Sequence, residues 1–369
     1  MSCVEFSRYR RYMRTRGSEK MKILFFFVHP GAFHVLKRSM EQLKREGHSV
    51  EVAIINKDVL PELLRENGVA FTDIFPEGRH GRNLWDAGCN LMKTVWRLRK
   101  LIGRKHYDCF VTDDCLSING YFSKTPTLFL IDDDLDVVPE IAPLLFCATE
   151  ILAPDVTRLG RFEKKKKGFS GYKELSYLHP AIFTPDPAVA TRYGLEPRKY
   201  IFVRVVGLTA THDRHKRGID DIQLSRIVDC ATGFGYRVVI SAERKLPPEL
   251  ELYRIQFAAT DGLHLLAHAA LFVGDSQTMT SEAALLGIPA LRCNDFVGKI
   301  SVMEEKETRY GLTFGYRPEN SDSLLNKLKE LLSDPQRQQK WSARHRKMLN
   351  DAVDISELLV EEVKKLGER

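Results

Sequence analysis

The sequence lacks any apolar run of the ~18 residues that a membrane-spanning helix needs, so no helical span is expected. Its start, "MSCVEFSRYRRYMRTRGSEK", is basic and has no apolar segment of the kind a secretory signal carries. It reads as a disordered tail over 1–20, as a weak membrane-surface contact, or as sequence upstream of a start at Met21. The seven cysteines stand at 3, 89, 109, 115, 147, 230 and 293, with no C-x-x-C pair among them. Several lie in apolar runs, which argues for free thiols in a reducing, cytoplasmic setting over a disulfide frame or a zinc site. There is no short internal repeat, and no low-complexity tract beyond Lys164–Lys167. Nor is one sign of charge strongly in excess: 56 Lys and Arg against 49 Asp and Glu give +7. That mild basicity suits an anionic ligand, a membrane surface or nucleic acid without choosing between them. What is present is 369 residues with 43% hydrophobic content, enough for two globular domains.

"MKILFFFV" (21–28) is a continuous apolar run of strand length, the mark of a parallel strand buried on both faces. A turn, a helical pattern ending at Gly47 and a second strand, "SVEVAII", complete a βαβ unit. A helix over about 86–104 and the strands "YDCFVTD", "TPTLFLI" and "EILAPD" continue the alternation. Between 156 and 196 the pattern loosens into a charged loop, "RLGRFEKKKKGFSGYKE", and a proline-rich stretch. "KYIFVRVVG" (199–207) opens a second series, with later strands expected at "YRVVISA", "YRIQFA", "ALFVG" and "IPALRC". The fold class expected is α/β, with two Rossmann-like, doubly wound parallel-sheet domains facing a central cleft. The boundaries expected are 21–190, 191–345 and a C-terminal helix over 346–369 that returns to the first domain.

Ligands of open α/β sheets bind at the carboxyl ends of the strands. In "GDSQTMTSEAALLGIPAL" (274–291), Ser276, Gln277, Thr278, Thr280 and Glu282 crowd the start of a helix. Backbone N–H groups and hydroxyls there suit a phosphate, and a carboxylate one turn in suits ribose hydroxyls. Capping is the plainer use; with Thr278 as N-cap, Glu282 falls at N4 rather than the N3 of a capping box. "RVVGLTATHDRHKRG" (204–218) supplies Arg204, Gly207, Thr211 and His212 in a donor-rich loop, or a merely solvated one. "VHPGAFH" (28–34) places His34 near a helix start, as a general base or as part of a polar turn. "LIDDDLD" (130–136) offers Asp132 for acid–base work, and Asp132-x-Asp134 has the spacing of a metal motif; Asp113–Asp114 raises the same question. The helix "KTVWRLRKLIGRKH" and the loop "EKKKKG" are either solvated basic faces or contacts for anionic lipid.

Together "HPGAFHVLKRSMEQLKREGHSVEV", "GYKELSYLHP", "VRVVGLTATHDRHKRG" and "GDSQTMTSEAALLGIPA" resemble, in order and spacing, a bacterial and archaeal domain-of-unknown-function family. That family lies within the superfamily of GT-B glycosyltransferases and non-hydrolysing UDP-N-acetylglucosamine 2-epimerases. The resemblance implies a GT-B-like fold, a UDP-sugar held mainly by the second domain, no cofactor and no obligatory metal. By position, Glu282 resembles the carboxylate that grips the nucleotide ribose, and Ser276 to Thr280 the diphosphate-binding helix start. His34 falls near the loop histidine of MurG-like transferases, and His212 matches the histidine of the epimerases' "T-x-H-R-x-E-N". Asp132 stands where the epimerases have "H-V-E-A-G". The leading expectation is a nucleotide-sugar-dependent glycosyltransferase of cell-surface glycan synthesis. In it His34 or an Asp of 132–134 deprotonates an acceptor hydroxyl, and Arg204, the 209–217 loop and the 276–280 turn stabilise the departing diphosphate. The alternatives are a UDP-sugar 2-epimerase and a non-catalytic sugar-nucleotide-binding relative. The partners expected are a nucleotide sugar and a glycan or lipid-linked acceptor, with peripheral membrane contact and no nucleic acid.

Overall fold

The computed structural model describes residues 20–56, 59–77, 84–103, 105–206 and 217–369. Two parallel sheets organise them. The first contains β1 (Lys22–Phe27), β2 (Ser49–Ile54), β3 (Thr72–Asp73), β4 (Cys109–Thr112), β5 (Thr127–Leu130), β6 (Glu150–Pro154) and β7 (Lys166–Phe169). Its strand order is β3-β2-β1-β4-β5-β6-β7. The apolar run of β1 has the central place that its composition demands: Ile23 to Phe27 are fully buried, with helices on both faces. Ile23, Phe25 and Phe27 meet the helices Pro30–Arg45 and Ile355–Gly367, while Leu24 and Phe26 meet Leu84–Ile102 and Leu116–Ser123.

The second sheet contains β8 (Tyr200–Val205), β9 (Arg237–Ala242), β10 (Leu271–Gly274), β11 (Ala290–Cys293) and β12 (Thr313–Tyr316), in the order β12-β11-β10-β8-β9. Each sheet has a point where the strand order reverses, between β1 and β4 in the first and between β8 and β10 in the second. Such reversals leave a crevice at the carboxyl ends of the strands.

Three local expectations need correction. The end of the lysine run, Lys166 and Lys167, opens the edge strand β7 rather than a loop, paired in parallel with β6, while Lys164 and Lys165 close a short 3-10 helix; Lys166 Nζ donates to the carbonyls of Asp155 (2.7 Å) and Thr157 (2.6 Å). Lysine on an edge strand also discourages pairing with another chain. "YRIQFA" contributes only an isolated bridge, Ile240 to Arg254. Its Arg254 guanidinium is drawn to Glu251 and to the carbonyls of Ala242 and Arg244, which folds the segment across the end of β9. The C-terminal stretch is two helices, Arg337–Asp351 and Ile355–Gly367. The first stays on the second domain, with Trp341 Nε1 donating to Leu312 O at 3.3 Å. Asp354 caps the second, accepting from Ser356 N and Glu357 N.

The crossing between domains therefore lies at 352–354, beyond the expected boundary at 346. The earlier crossing precedes the expected 190: β7 ends at Phe169 in the first core, whereas Tyr172, Leu175 and Leu178 already belong to the second. The two crossings touch, Val353 N donating to Ser170 O at 3.0 Å. Gly171 sits between them at φ +116, where a Cβ would come 3.0 Å from Ala352 Cβ. Gly171→Ala combines left-handed strain with crowding and is expected to cost about 2–4 kcal/mol. Gly68→Ala, at φ +64 with nothing within 4 Å, is the control and should cost about 1 kcal/mol. Chemical denaturation measures both; equal losses would mean that the crossing tolerates a side chain.

Candidate functional site

Both strand-order reversals open onto one cleft of about 860 Å³. The first-domain wall carries His29 and His34, Asp113 after β4, and Asp132 and Asp133 after β5. The second-domain wall carries Val206 after β8, Glu243 after β9, and Asp275 to Thr278 with Ser281 and Glu282 after β10. Between them stands the crossing segment, which contributes Lys173, Glu174 and Tyr177.

The histidines divide their roles. His29 is the N-cap of Pro30–Arg45, its Nδ1 accepting from Gly31 N at 3.5 Å. His34 lies inside that helix, half-buried, its ring 5.4 Å from that of Tyr177. Burial, aided by Lys37, holds its imidazole below the ordinary value and so neutral at physiological pH. Tyr177 donates to Glu282 Oε1 at 3.0 Å, and Ser281 Oγ bonds Glu174 Oε1 at 3.2 Å. Burial pushes the Glu282 carboxyl up to about 7, against the Tyr177 hydrogen bond and with help from Glu174. Asp113 lines the cleft; loss of hydration there, with the neighbouring Asp114, raises its carboxyl to about 7, with Lys173 opposing.

Asp132 is a different kind of carboxylate. Lys173 Nζ lies 2.5 Å from its Oδ1. Burial alone would depress that ammonium, but Asp132, Glu174 and Asp133 overrule it and raise it. Asp134 is fully buried and accepts from Arg158 N and from Ser301 N of the other domain, both at 2.7 Å. The Asp132-x-Asp134 pair thus serves two separate sets of partners.

At the helix start, Ser276 rather than Thr278 is the N-cap of Gln277–Leu285, accepting from Met279 N. Glu282 consequently sits deeper in the helix than expected. Thr278 is exposed to the cleft. Gln277 Oε1 is held by Arg292 Nη1 at 2.7 Å, and the fully buried Arg292 reaches Glu304 at 3.1 Å with its other nitrogen. Thr280 was expected in the site and is not there: it is buried, its hydroxyl turned back to Ser276 O at 2.6 Å. A helix periodicity of 3.6 puts it on the far side from Thr278. Arg204 does not line the cleft either; Ser241 Oγ (2.7 Å) and Glu243 engage its guanidinium. Gly207, Thr211 and His212 lie outside the described residues.

Reading the sequence strand end by strand end missed Lys173, Glu174 and Tyr177, because they follow no strand of the second sheet. Their signal was present in "GYKELSYLHP": positions 173, 174 and 177 recur at helical spacing, opposite the apolar 172, 175 and 178.

The raised Glu282 carboxyl makes stability depend on pH. Its contribution is complete below the ordinary 4.5 and is lost as pH rises through about 7. Glu282→Gln keeps an acceptor for Tyr177 and removes the titration. Thermal unfolding between about pH 5 and 8 should show wild-type Tm falling relative to the variant by about 2–6 °C. Parallel curves would contradict a carboxyl held near neutrality.

No protein-family model and no curated protein sequence matches this chain. Solved structures do. The MnaA protein of S. aureus in its co-structure with UDP is 13% identical, with a TM-score of 0.65 over 94% of this chain and 96% of its own. The UDP-GlcNAc 2-epimerase of Neisseria meningitidis bound to UDP-GlcNAc is 13% identical, with a TM-score of 0.64 over 93% and 99%. The spinosyn forosaminyltransferase SpnP is 14% identical, with a TM-score of 0.64 over 95% and 100%. The chain has the GT-B-like two-domain fold that these glycosyltransferases and epimerases share.

Proposed function

We propose that this protein is a nucleotide-sugar-dependent glycosyltransferase whose cleft holds the nucleotide on the second-domain wall and the reacting groups on the first. The observation that carries the reading is the placement of a carboxyl near neutrality, Asp113, on one wall and a helix start, Ser276 to Thr278, on the other. The helix start presents N–H groups and about half a positive charge to a diphosphate. Asp113, poised near 7, takes the proton of an acceptor hydroxyl as the sugar transfers. Lys173 pairs with Asp132 beside it. Support for a nucleotide sugar comes from fold neighbours solved with UDP and with UDP-GlcNAc.

The cleft's described lining has seven carboxylates, counting Asp113, Asp132, Asp133, Glu174, Glu243, Asp275 and Glu282, against one lysine. A diphosphate needs more cation than that. The sequence "GLTATHDRHK" between Val206 and Arg217 carries it, which keeps Gly207, Thr211 and His212 in the proposal. Epimerisation at C2 is the second reading, favoured by the gathering of Asp113, Asp132 and Glu174 around Lys173. Incubation with UDP-GlcNAc alone separates the two: an epimerase interconverts it without an acceptor.

Asp113→Asn is expected to lower kcat by about 10²–10⁴-fold while calorimetric binding of the nucleotide sugar persists. A base acts deprotonated, so the wild-type rate should rise with pH and level off above about 7. Activity retained in Asp113→Asn, or a profile that falls through neutrality, would remove Asp113 from this role.

A further inference from the structure

One face of the first domain has no part in the cleft. The helices Leu84–Ile102, Leu116–Ser123 and Ala142–Cys147 cover one side of the first sheet, away from the C-terminal helix. Their outer surface is unusually apolar. Of the twelve most exposed large hydrophobic side chains among the described residues, six lie here: Leu91, Met92, Trp96, Tyr121, Phe122 and Phe146. Met92 is 75% exposed and Phe122 70%. Three of them form a connected aromatic group. The Tyr121 ring lies 5.7 Å from that of Phe122 and 5.8 Å from that of Phe146. Asn119 Nδ2 donates to Val95 O at 3.0 Å, joining the first two helices. Exposed apolar surface on this scale marks an interaction site.

The charge around it is mostly positive. The helices Leu84–Ile102, Leu116–Ser123 and Ala142–Cys147 hold one acid between them, Asp86 in the first turn of the first, with Asp108, Asp114 and Glu140 in the segments that flank them. Lys93, Arg99, Lys100 and Lys124 are exposed along it. Lys100 Nζ stands 3.7 Å over the Trp96 ring, and Lys165 Nζ 5.5 Å from that of Phe146. Tyr121 and Phe146 also form the lip of a recess of about 710 Å³ whose walls include His106, Lys124 and Arg369. Asp108 lines the recess too, accepting from Lys22 N at 2.6 Å.

We propose that this face docks on an anionic lipid surface, its aromatic and Met side chains entering the headgroup boundary and its lysines meeting lipid phosphates. The partner must offer both negative charge and an apolar interior, and a bilayer of anionic lipid offers both. A second copy of the chain would bring the same positive face and be repelled. Nucleic acid offers the charge without an interior for Met92 and Phe122. No helix of the described residues is long and apolar enough to cross a membrane, so the contact is peripheral.

The test is flotation of the full chain with vesicles of phosphatidylcholine alone and of phosphatidylcholine mixed equally with phosphatidylglycerol. Binding is expected only to the mixed vesicles, and to weaken steeply as salt screens the lysines. Phe122→Ser with Phe146→Ser, and Lys100→Glu with Lys124→Glu, should each lower the partition about tenfold or more and leave nucleotide-sugar binding unchanged. Because these side chains are exposed, unfolding is not expected. A measurement without charge or patch disruption stands beside them: Trp emission should shift to the blue on adding mixed vesicles, and the shift should shrink in Trp96→Phe. Absence of binding to mixed vesicles at low salt overturns the proposal. So does binding that both double variants retain, dimerisation that the Phe pair abolishes, or tight binding of single-stranded RNA without binding of vesicles.

Discussion

The hydrogen bond from Val353 N to Ser170 O joins the two places where the chain passes between domains. The rest of the site depends on that junction. Gly171 allows the turn, and the residues after it must satisfy two surfaces at once. Tyr172, Leu175 and Leu178 drop into the second core. The same helical turn then aims Lys173, Glu174 and Tyr177 into the cleft, where they meet Asp132, Ser281 and Glu282. The link between domains and a wall of the site are one peptide. Asp134, reaching across to Ser301 N, fixes the opposite side of the same interface.

That arrangement sorts the carboxyl groups of the cleft by what faces them. Asp132 pairs with the Lys173 ammonium, while Asp134, fully buried and outside the cleft lining, meets Arg158 and two backbone N–H groups. Among the described residues Glu282 bonds only a phenol, and Asp113 faces Asp114 with Lys173 opposing, so loss of hydration dominates and lifts both to about 7. Lys306 shows the converse: fully enclosed, with its Nζ 3.6 Å over the Tyr172 ring, it is pushed down to about 8. One cleft therefore carries, on opposite walls, two carboxyls raised to near neutral pH. Carboxyls raised toward neutrality suit acid–base chemistry at that pH.

The alternation of fully buried strands with helices was legible in the sequence because parallel strands covered on both faces must be apolar throughout, as in "ILFFF" and "ALFVG". The helix start was legible to within two residues for a similar local reason, since capping chemistry is written in neighbouring residues, but Ser276 took the cap expected of Thr278. Tyr177 was not, because its partner Glu282 is 105 residues away and no local pattern encodes that meeting. Arg292 was hidden as well: it sits in an apolar strand, and only the fold brings Gln277 and Glu304 to its two nitrogens. Thr280 misled for the opposite reason. Its neighbours in sequence face the cleft, but the helical turn carries it to the buried side, where its hydroxyl closes on Ser276 O.

Asp275 is the remaining buried acid, and its surroundings distinguish it from the others. Its two oxygens accept from Val206 N at 2.8 Å and Ile219 N at 3.3 Å, the residues that flank the 207–218 segment. Gly218 has to be glycine for this, since a Cβ there would fall 2.4 Å from Asp275 Oδ2. Burial lifts the Asp275 carboxyl to about 6 even though those two N–H groups favour the anion. A carboxylate at the carboxyl end of β10 thus joins Val206, at the end of β8, to Ile219. Arg217, at the return, is fixed in its turn by Asp295 at 2.8 Å through its own N–H. Val206 and Ile219 are thereby brought to one carboxylate beside the strand-order reversal between β8 and β10.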